Sequence, residues 1–294
     1  MPIVIPVELP DLTGLIKRID QYDMGHGNSA DLWKGEYTKD GRTISVAIKA
    51  IRNVNTDAEV ERLSAKLIRE ARVWSQLVHP NISRFLGICY ELAYKSTQPC
   101  LISPYYKNRD SFTYLQENPS VPRIPLLQQI AAGLEHLHKR LIVHGDLKAK
   151  NVLINDKGEA CLTDFGLSRI VDLSGFTTKN LSAGTTRWMA YELLVVYKKE
   201  DLQPSELPRP TPASDVWAFG MTALEVYGGQ RPFIEERADG QVMIRIIDKG
   251  LPTQESQGFK DAQVLWDTLK KCWTHDPAER VTIEKMREYL ADLP

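Results

Sequence analysis

The sequence contains no hydrophobic run that approaches the roughly eighteen residues needed to cross a membrane as a helix. Its acidic and basic residues nearly cancel, leaving a formal net charge of −1 at pH 7. We therefore expect no general attraction to nucleic acid or to an anionic membrane surface. Internal repeats and long low-complexity tracts are also missing. These absences argue against a membrane-spanning protein and against a nucleic-acid-binding protein.

Cysteine is scarce, with four residues in the chain, and no two of them have C-x-x-C spacing. Each lies in an apolar stretch, so we expect buried free thiols in a reducing compartment. The four positions are Cys89, Cys100, Cys161 and Cys272. The first six residues are apolar but contain prolines and lack a basic flank, which is not typical of a secretory signal. We therefore expect a cytoplasmic protein.

Apolar residues make up 43% of the 294 residues, which is enough for a sizeable core. A chain of this length predicts one or two domains. Residues 1–18 read as a leader that packs loosely or joins a preceding region.

The most informative stretch is residues 144–151, which read H-G-D-L-K-A-K-N and are followed at residues 164–166 by D-F-G. An aspartate such as Asp146 can accept a proton from a hydroxyl group. Asn151 and Asp164 offer the hard oxygen ligands that Mg²⁺ prefers. The two motifs therefore indicate a site that handles a proton and a metal ion together.

A short hairpin links these two motifs. Residues 152–154 predict a buried strand, residues 155–158 a turn, and residues 159–163 the returning strand. The hairpin is expected to bring Asn151 and Asp164 together.

Three further motifs lie upstream. Gly25 and Gly27 stand two residues apart in a stretch that predicts a hairpin whose backbone can lie close over phosphates. Residues 45–49 read S-V-A-I-K and predict a strand that ends in a lysine. Residues 58–77 carry apolar residues at helical intervals, and Glu70 falls on that helix.

The other predicted elements follow from pattern and composition. Residues 85–90 and 100–103 predict two strands. Residues 126–140 predict a helix with one apolar side. Residues 197–212 are charged and rich in proline, which indicates a surface insertion, and residues 214–220 open an apolar helix.

Together these motifs resemble a eukaryotic protein kinase catalytic domain of the tyrosine-kinase-like group, with a Ser/Thr-type catalytic loop. The resemblance spans roughly residues 20–290. It implies an α+β, bilobal fold with a small, mainly antiparallel β-sheet N-lobe that carries one key helix, and a larger, mainly helical C-lobe. After the leader, the implied kinase domain of residues 19–294 divides into an N-lobe at 19–103, a hinge at 104–106 and a C-lobe at 107–294.

The resemblance also implies catalytic roles and two cofactors, ATP and Mg²⁺. Asp146 would position and deprotonate the attacking hydroxyl, and Lys148 would contact the transferred phosphate. Asn151 and Asp164 would hold the metal ion.

In the first lobe, Lys49 would anchor the ATP phosphates and would be held extended by an ion pair with Glu70. The residues expected to contact ATP are Gly25, Gly27, Leu32, Ala47, Lys49, Ser103, Pro104, Tyr106 and Leu153. Trp74, Phe85, His144 and Phe165 match the stacked apolar residues that link the two lobes in active kinases.

The end of the polar segment after D-F-G resembles the family as well. Residues 183–192 read A-G-T-T-R-W-M-A-Y-E, similar to the family's G-T-x-x-W-M-A-P-E. The resemblance implies that Glu192 pairs with Arg280, and that Asp215, at the start of an apolar helix, holds the catalytic-loop backbone. An aspartate at a helix start is also typical of a cap for its own helix.

Three positions depart from the family pattern. Ala30 stands for the third glycine of the phosphate-binding hairpin, Gly145 for an arginine, and Tyr191 for a proline. Because Gly145 has no guanidinium to bind a phosphate, we expect that phosphorylation of the activation loop is not the principal on-switch.

Three functions compete. A protein kinase acting on Ser and Thr of protein substrates is favoured, because Lys148 and Thr185 are placed as in Ser/Thr enzymes. A pseudokinase that acts as an ATP-binding scaffold is suggested by the three departures, although none removes a group that touches metal or phosphate. A small-molecule phosphotransferase shares the H-G-D sequence, but lacks the G-T-x-x-W-M-A segment and the Asp215 helix.

Overall fold

A computed structural model describes six stretches of the chain, which are residues 8–19, 30–51, 56–92, 98–164, 185–198 and 208–293. The contacts divide the chain into two compact units, Met1–Tyr105 and Tyr106–Pro294. In the six described stretches, no helix combines the length and the apolar character that crossing a membrane requires.

The first unit is built on a five-stranded antiparallel sheet with the strand order β1-β2-β3-β5-β4. Its strands are β1 (Ile16–Arg18), β2 (Ala30–Lys39), β3 (Arg42–Ile51), β4 (Gly87–Cys89) and β5 (Cys100–Pro104). A two-residue turn at Asp40 and Gly41 joins β2 to β3, and its φ values are 51° and 74°. Positive φ at both turn positions fits the twist of a hairpin, and an Asp-Gly pair favours this geometry.

One face of this sheet forms the core of the unit. Side chains alternate along β3, so that Val46, Ile48 and Ala50 are fully buried. Trp33 of β2 and Ile102 of β5 pack on the same face.

The prediction of buried free thiols is confirmed, since all four cysteines are free and buried. Cys89 and Cys100 face each other across β4 and β5. Burial raises the pKa of Cys100 to about 12 and that of Cys161 to about 11, so both thiols stay protonated at neutral pH.

Helix α1 (Asp57–Trp74) lies where residues 58–77 predict a helix, but it ends three residues earlier. The chain tightens there, because Leu77 N donates to Trp74 O at 3.0 Å. Leu67, Ala71 and Trp74 are buried along one side, and Glu70 on the same helix is only 6% exposed. The Trp74 and Phe85 rings lie 5.4 Å apart.

The second unit is mainly helical and contains one small hairpin. Its helices are α2 (Ser111–Glu117), α3 (Arg123–His138), α4 (Tyr191–Leu194), α5 (Pro212–Gly228), α6 (Asp239–Ile247), α7 (Gln263–Lys270) and α8 (Ile283–Ala291). The predicted hairpin is confirmed as β6 (Val152–Ile154) and β7 (Ala160–Leu162). Gly158 closes its turn with a φ of 81°. The predicted α+β fold class, with a sheet in one unit and helices in the other, is confirmed.

Helix α5 is the central element of this unit, and every residue from Ser214 to Val226 is buried. The helix begins two residues earlier than residues 214–220 predict. Thr211 caps it by accepting from Ser214 N at 3.2 Å, and Pro212 occupies the first turn, where its missing N–H costs nothing. Asp215 does not cap this helix, because Thr211 occupies the cap position and leaves the Asp215 carboxylate to other donors.

The close packing of α5 makes a specific prediction for Gly220. A Cβ added there would lie 2.5 Å from Trp273 Nε1 and 2.8 Å from Cys272 Cβ. We expect Gly220→Ala to lower the free energy of unfolding by about 1–3 kcal/mol, measured by urea denaturation, because overpacking outweighs the better helix propensity of alanine.

Gly240 in α6 provides the matched control, because an added Cβ there meets nothing within 4 Å. Gly240→Ala should leave the stability unchanged or raise it slightly. Equal effects of the two substitutions would contradict the assigned packing of α5.

Candidate active site

The loop at residues 144–151 places a lysine and an amide against the carboxylate of Asp146. Lys148 Nζ donates to both Asp146 oxygens, at 3.0 and 2.9 Å, and to Thr185 Oγ1 at 3.3 Å. Asn151 Nδ2 donates to Asp146 Oδ2 at 2.9 Å. The carboxylate is thus held in one orientation by charged and neutral donors while its side chain stays 31% exposed.

Two hydrogen bonds fix the orientation of the Asn151 side-chain amide. Its Nδ2 donates to Asp146 O at 2.7 Å as well as to the carboxylate. Both partners are acceptors, so the NH₂ group must lie on this side and the oxygen on the other. Thr163 N donates to Asn151 O at 3.0 Å, which places Asp164 beside Asn151 at the end of the hairpin, as the sequence predicts.

This pair of side chains suits the chemistry of Mg²⁺. An amide oxygen and a carboxylate are hard ligands, and Mg²⁺ is usually bound by one or two carboxylates together with phosphate oxygens and water. Asp164 has a φ of 58°, a conformation that is uncommon for residues other than glycine. Such a conformation is typical of residues held in place at functional sites.

His144, the first residue of this loop, is fully buried. Burial lowers the pKa of its imidazole, while the carboxylates of Asp215, Asp146 and Asp164 act in the opposite direction. Its Nδ1 accepts from Asp146 N at 3.3 Å. The neutral ring therefore acts as an acceptor that fixes the backbone of Asp146.

Asp215 holds the backbone that precedes Asp146, which confirms the role that the family resemblance implies. Its oxygens accept from His144 N at 2.7 Å and from Gly145 N at 2.8 Å. His138 Nε2 lies 2.9 Å from the same carboxylate. Gly145 has a φ of 77°, where a residue without a Cβ avoids steric strain.

Sequence reasoning missed two residues that hold the loop at Ala149. Glu225 Oε2 accepts from Ala149 N at 2.8 Å, and Ser111 Oγ donates to Ala149 O at 2.9 Å. Glu225 Oε2 also accepts from Trp188 Nε1 at 2.8 Å. Burial raises the pKa of Glu225 to about 7. An acid inside the apolar sequence of α5 was the signal that could have revealed it.

Arg187 is a third missed residue, and no signal in the sequence pointed to it. Its side chain is only 3% exposed, and its Nε donates to Asp239 Oδ1 at 2.9 Å. Its NH₂ groups donate to the carbonyl oxygens of Pro232, Phe233 and Glu236, each at 2.9 Å. These bonds tie the segment after Thr185 to the loop that precedes α6.

The predicted pair of Glu192 and Arg280 is confirmed. Two bonds of 2.8 Å join the guanidinium to both carboxylate oxygens, and the Arg280 side chain is fully buried. Tyr191, which stands for a proline, packs its ring edge-on to His275 at 5.2 Å. His275 in turn lies 5.8 Å from Trp217, so the tyrosine extends an aromatic cluster.

Several predicted ATP contacts share one face of the sheet in the first unit. Leu32 lies opposite Lys49, and Ala47 lies opposite Ser103. By the alternation of strands, these side chains stand on the face away from the Trp33 core. Pairing of Lys49 with Glu70 stays a prediction, although a carboxylate as buried as that of Glu70 requires a partner.

The remaining predicted ATP contacts fall in different places. Pro104 ends β5, opposite Val46. Tyr106 and Leu153 belong to the second unit, where Tyr106 O accepts from Arg109 N at 3.1 Å. Gly25, Gly27, Phe165 and the activation-loop residues up to 184 lie outside the described residues.

Comparison with known proteins agrees with this geometry. A family model described as protein tyrosine and serine/threonine kinase matches residues 19–290. Serine/threonine-protein kinase STY46 of Arabidopsis thaliana is 26% identical over 277 residues, which cover 92% of this chain and 43% of that protein. Tyrosine-protein kinase SYK of Gallus gallus is 29% identical over 286 residues, which cover 94% and 43%.

Tyrosine-protein kinase Mer of Mus musculus is 28% identical over 286 residues, covering 92% of this chain and 27% of that protein. The chain therefore spans less than half the length of these relatives. The relatives include kinases of both residue classes, so similarity alone does not separate Ser/Thr from Tyr. The family model covers most of the chain, and the matched range includes the loop at residues 144–151 and the pair of Glu192 and Arg280. The chain belongs to the protein tyrosine and serine/threonine kinase family.

Proposed function

We propose that this protein transfers the γ-phosphate of ATP to Ser and Thr hydroxyls of protein substrates. The observation that carries the proposal is the position of Lys148, whose ammonium group bridges Asp146 and Thr185. Kinases of this family generally use ATP and Mg²⁺. A cytoplasmic location belongs to the same proposal, supported by the four free thiols, which a reducing compartment preserves.

The residues of this chain would work mainly by positioning and by charge. Bound ATP would supply the phosphoryl group, and bound Mg²⁺ would offset the negative charge of the phosphates during transfer. Asn151 and Asp164 would hold the metal, and Lys49 would hold the phosphates. Asp146 would orient the attacking hydroxyl and accept its proton.

The residue class rests on two side chains. Lys148 stands two residues after Asp146, where Ser/Thr enzymes place a lysine, and its charge can meet the phosphate during transfer. Thr185 is uncharged, but its hydroxyl oxygen accepts a hydrogen bond from Lys148 Nζ at 3.3 Å and so helps to fix the position of the ammonium group.

An ATP-binding scaffold without phosphotransfer is the second candidate. Three departures from the family pattern support it. Gly145 lacks the side chain that the family places there, and Ala30 and Tyr191 also differ from the family residues. The intact contacts of Asp146 with Lys148 and Asn151 stand against it. A small-molecule phosphotransferase fits less well, because such enzymes lack the segment that Glu192 and Arg280 hold in place.

The first test is the substitution Asp146→Asn. It keeps the size of the side chain but removes the proton acceptor, so kcat should fall by about 10²–10⁴-fold. Nucleotide affinity, measured by calorimetry with Mg-ATP, should stay nearly unchanged. Asp164→Asn should weaken Mg-ATP binding as well.

Asp156→Asn is the matched control, because Asp156 lies exposed in the hairpin turn. It should leave both kcat and nucleotide affinity at the wild-type values. Full activity of Asp146→Asn would show that the assignment of the base is wrong. If the wild-type protein binds Mg-ATP but transfers no phosphate, the scaffold function replaces the proposed one.

The second test addresses the residue class. Peptides that differ only in carrying Ser, Thr or Tyr at the acceptor position should gain phosphate on Ser and Thr, as measured by mass spectrometry. Thr185→Val should lower kcat/KM on these peptides by about threefold to tenfold, because Lys148 loses a hydrogen-bond partner.

Thr253→Val, at an exposed position just before a turn, serves as the control for loss of a hydroxyl and should have no effect on kcat/KM. Phosphotyrosine as the main product would overturn the proposed class while leaving the kinase activity itself intact.

A further inference from the structure

Glu225 joins two segments of the active site through a single atom. Glu225 belongs to α5 and is only 5% exposed. One oxygen, Oε2, accepts both from Ala149 N and from Trp188 Nε1, each at 2.8 Å. An acceptor shared by two donors keeps a fixed distance between them.

The two donors belong to two different segments of the site, the catalytic loop and the turn after Thr185. Ala149 directly follows Lys148 in the catalytic loop. Trp188 closes a 3₁₀ turn, Thr186–Trp188, that directly follows Thr185. Since Lys148 also donates to Thr185, the contacts form a closed ring through Glu225.

We propose that Glu225 is a positioning residue that couples the segment at Thr185–Trp188 to the catalytic loop, and that it does so best as an ionised carboxylate. The proposal rests on the phosphotransfer function given above. Hydrogen bonds to an ionised acceptor are shorter and roughly twice as strong as those between neutral groups. Ionisation therefore tightens both bonds of the ring at once.

Burial and the neighbouring groups place the pKa of Glu225 near neutral pH. Burial has the largest effect and raises its pKa to about 7, while the two donated bonds and Lys148 lower it and Asp110 raises it. The guanidinium of Arg187, in the adjoining turn, is directed at Asp239. His138 and His144 contact Asp215, which lies ten residues before Glu225 on α5, or about 15 Å along the helix.

The effects of this titration on stability and on activity have opposite signs. The pKa of Glu225 is raised in the folded state above its ordinary value of 4.5. Its contribution to stability is therefore full below pH 4.5 and is lost as the pH rises through about 7. Activity should rise over the same upper range, because the ionised form holds the ring more firmly. A residue with a merely structural role would move both quantities in the same direction.

The experiment compares wild-type protein with Glu225→Gln, which keeps the shape and one acceptor oxygen but cannot ionise. The measured quantity is the ratio of their kcat/KM values on one peptide with saturating Mg-ATP, between pH 6 and pH 8.5. We expect a ratio near one at pH 6 that rises to about five- to tenfold at pH 8.5, with a midpoint near pH 7. At pH 8.5 the variant should be at least as stable to urea as the wild type.

Glu135→Gln is the matched control, because Glu135 is 8% exposed on α3 and pairs with Lys139 and Arg287, away from the loop. The ratio of wild-type kcat/KM to that of Glu135→Gln should not change with pH. A constant ratio for Glu225→Gln, or a loss of activity that follows a loss of stability, would overturn the proposal.

A second measurement does not depend on activity. In protein labelled with ¹⁵N-tryptophan, the indole N–H of Trp188 is assigned from the resonance that Trp188→Phe removes. This resonance should titrate near pH 7 in the wild type and stay constant in Glu225→Gln. Titration without phosphotransfer would refute the proposed function and keep the coupling. Phosphotransfer without titration would refute the coupling alone.

Discussion

Two buried carboxylates on helix α5 hold the loop that carries Asp146. Asp215 accepts the backbone N–H groups of His144 and Gly145, and Glu225 accepts that of Ala149. A carboxylate removed from water is costly unless such donors replace its solvent shell. The same hydrogen bonds supply donors to the carboxylates and acceptors to the loop amides. A shift of the loop would therefore leave buried carboxylates and buried amides without partners.

The departures from the family pattern are accommodated by neighbouring contacts. Gly145 adopts a positive φ at which a residue with a side chain would be strained, and its backbone N–H still donates to Asp215. Tyr191 replaces a proline, yet the next residue keeps its bidentate pair with Arg280. The ring of Tyr191 adds to the aromatic cluster at His275 rather than disturbing it. Neither change alters the groups that surround Asp146.

Local patterns predicted the parts of the site that are close in sequence. The strand–turn–strand run after Asn151 places Asp164 beside it, because a hairpin with a short turn leaves little freedom of register. The glycine-closed turn and the alternation along β3 are likewise properties of short stretches. The ion pair of Glu192 with Arg280, 88 residues apart, was expected only because the motifs resemble a known family.

The hairpin follows from local patterns in the sequence, whereas the fold class and the identity of the loop around Asp146 follow from the resemblance of the motifs to a known family. Tertiary structure alone decided that Glu225 and Ser111 support that loop in addition to Asp215. Glu225 lies 76 residues from Ala149, and Arg187 lies 52 residues from Asp239, so no periodicity or turn signal relates them. Buried polar groups choose partners by where packing brings them, since each must replace lost water with whatever donor or acceptor lies within reach.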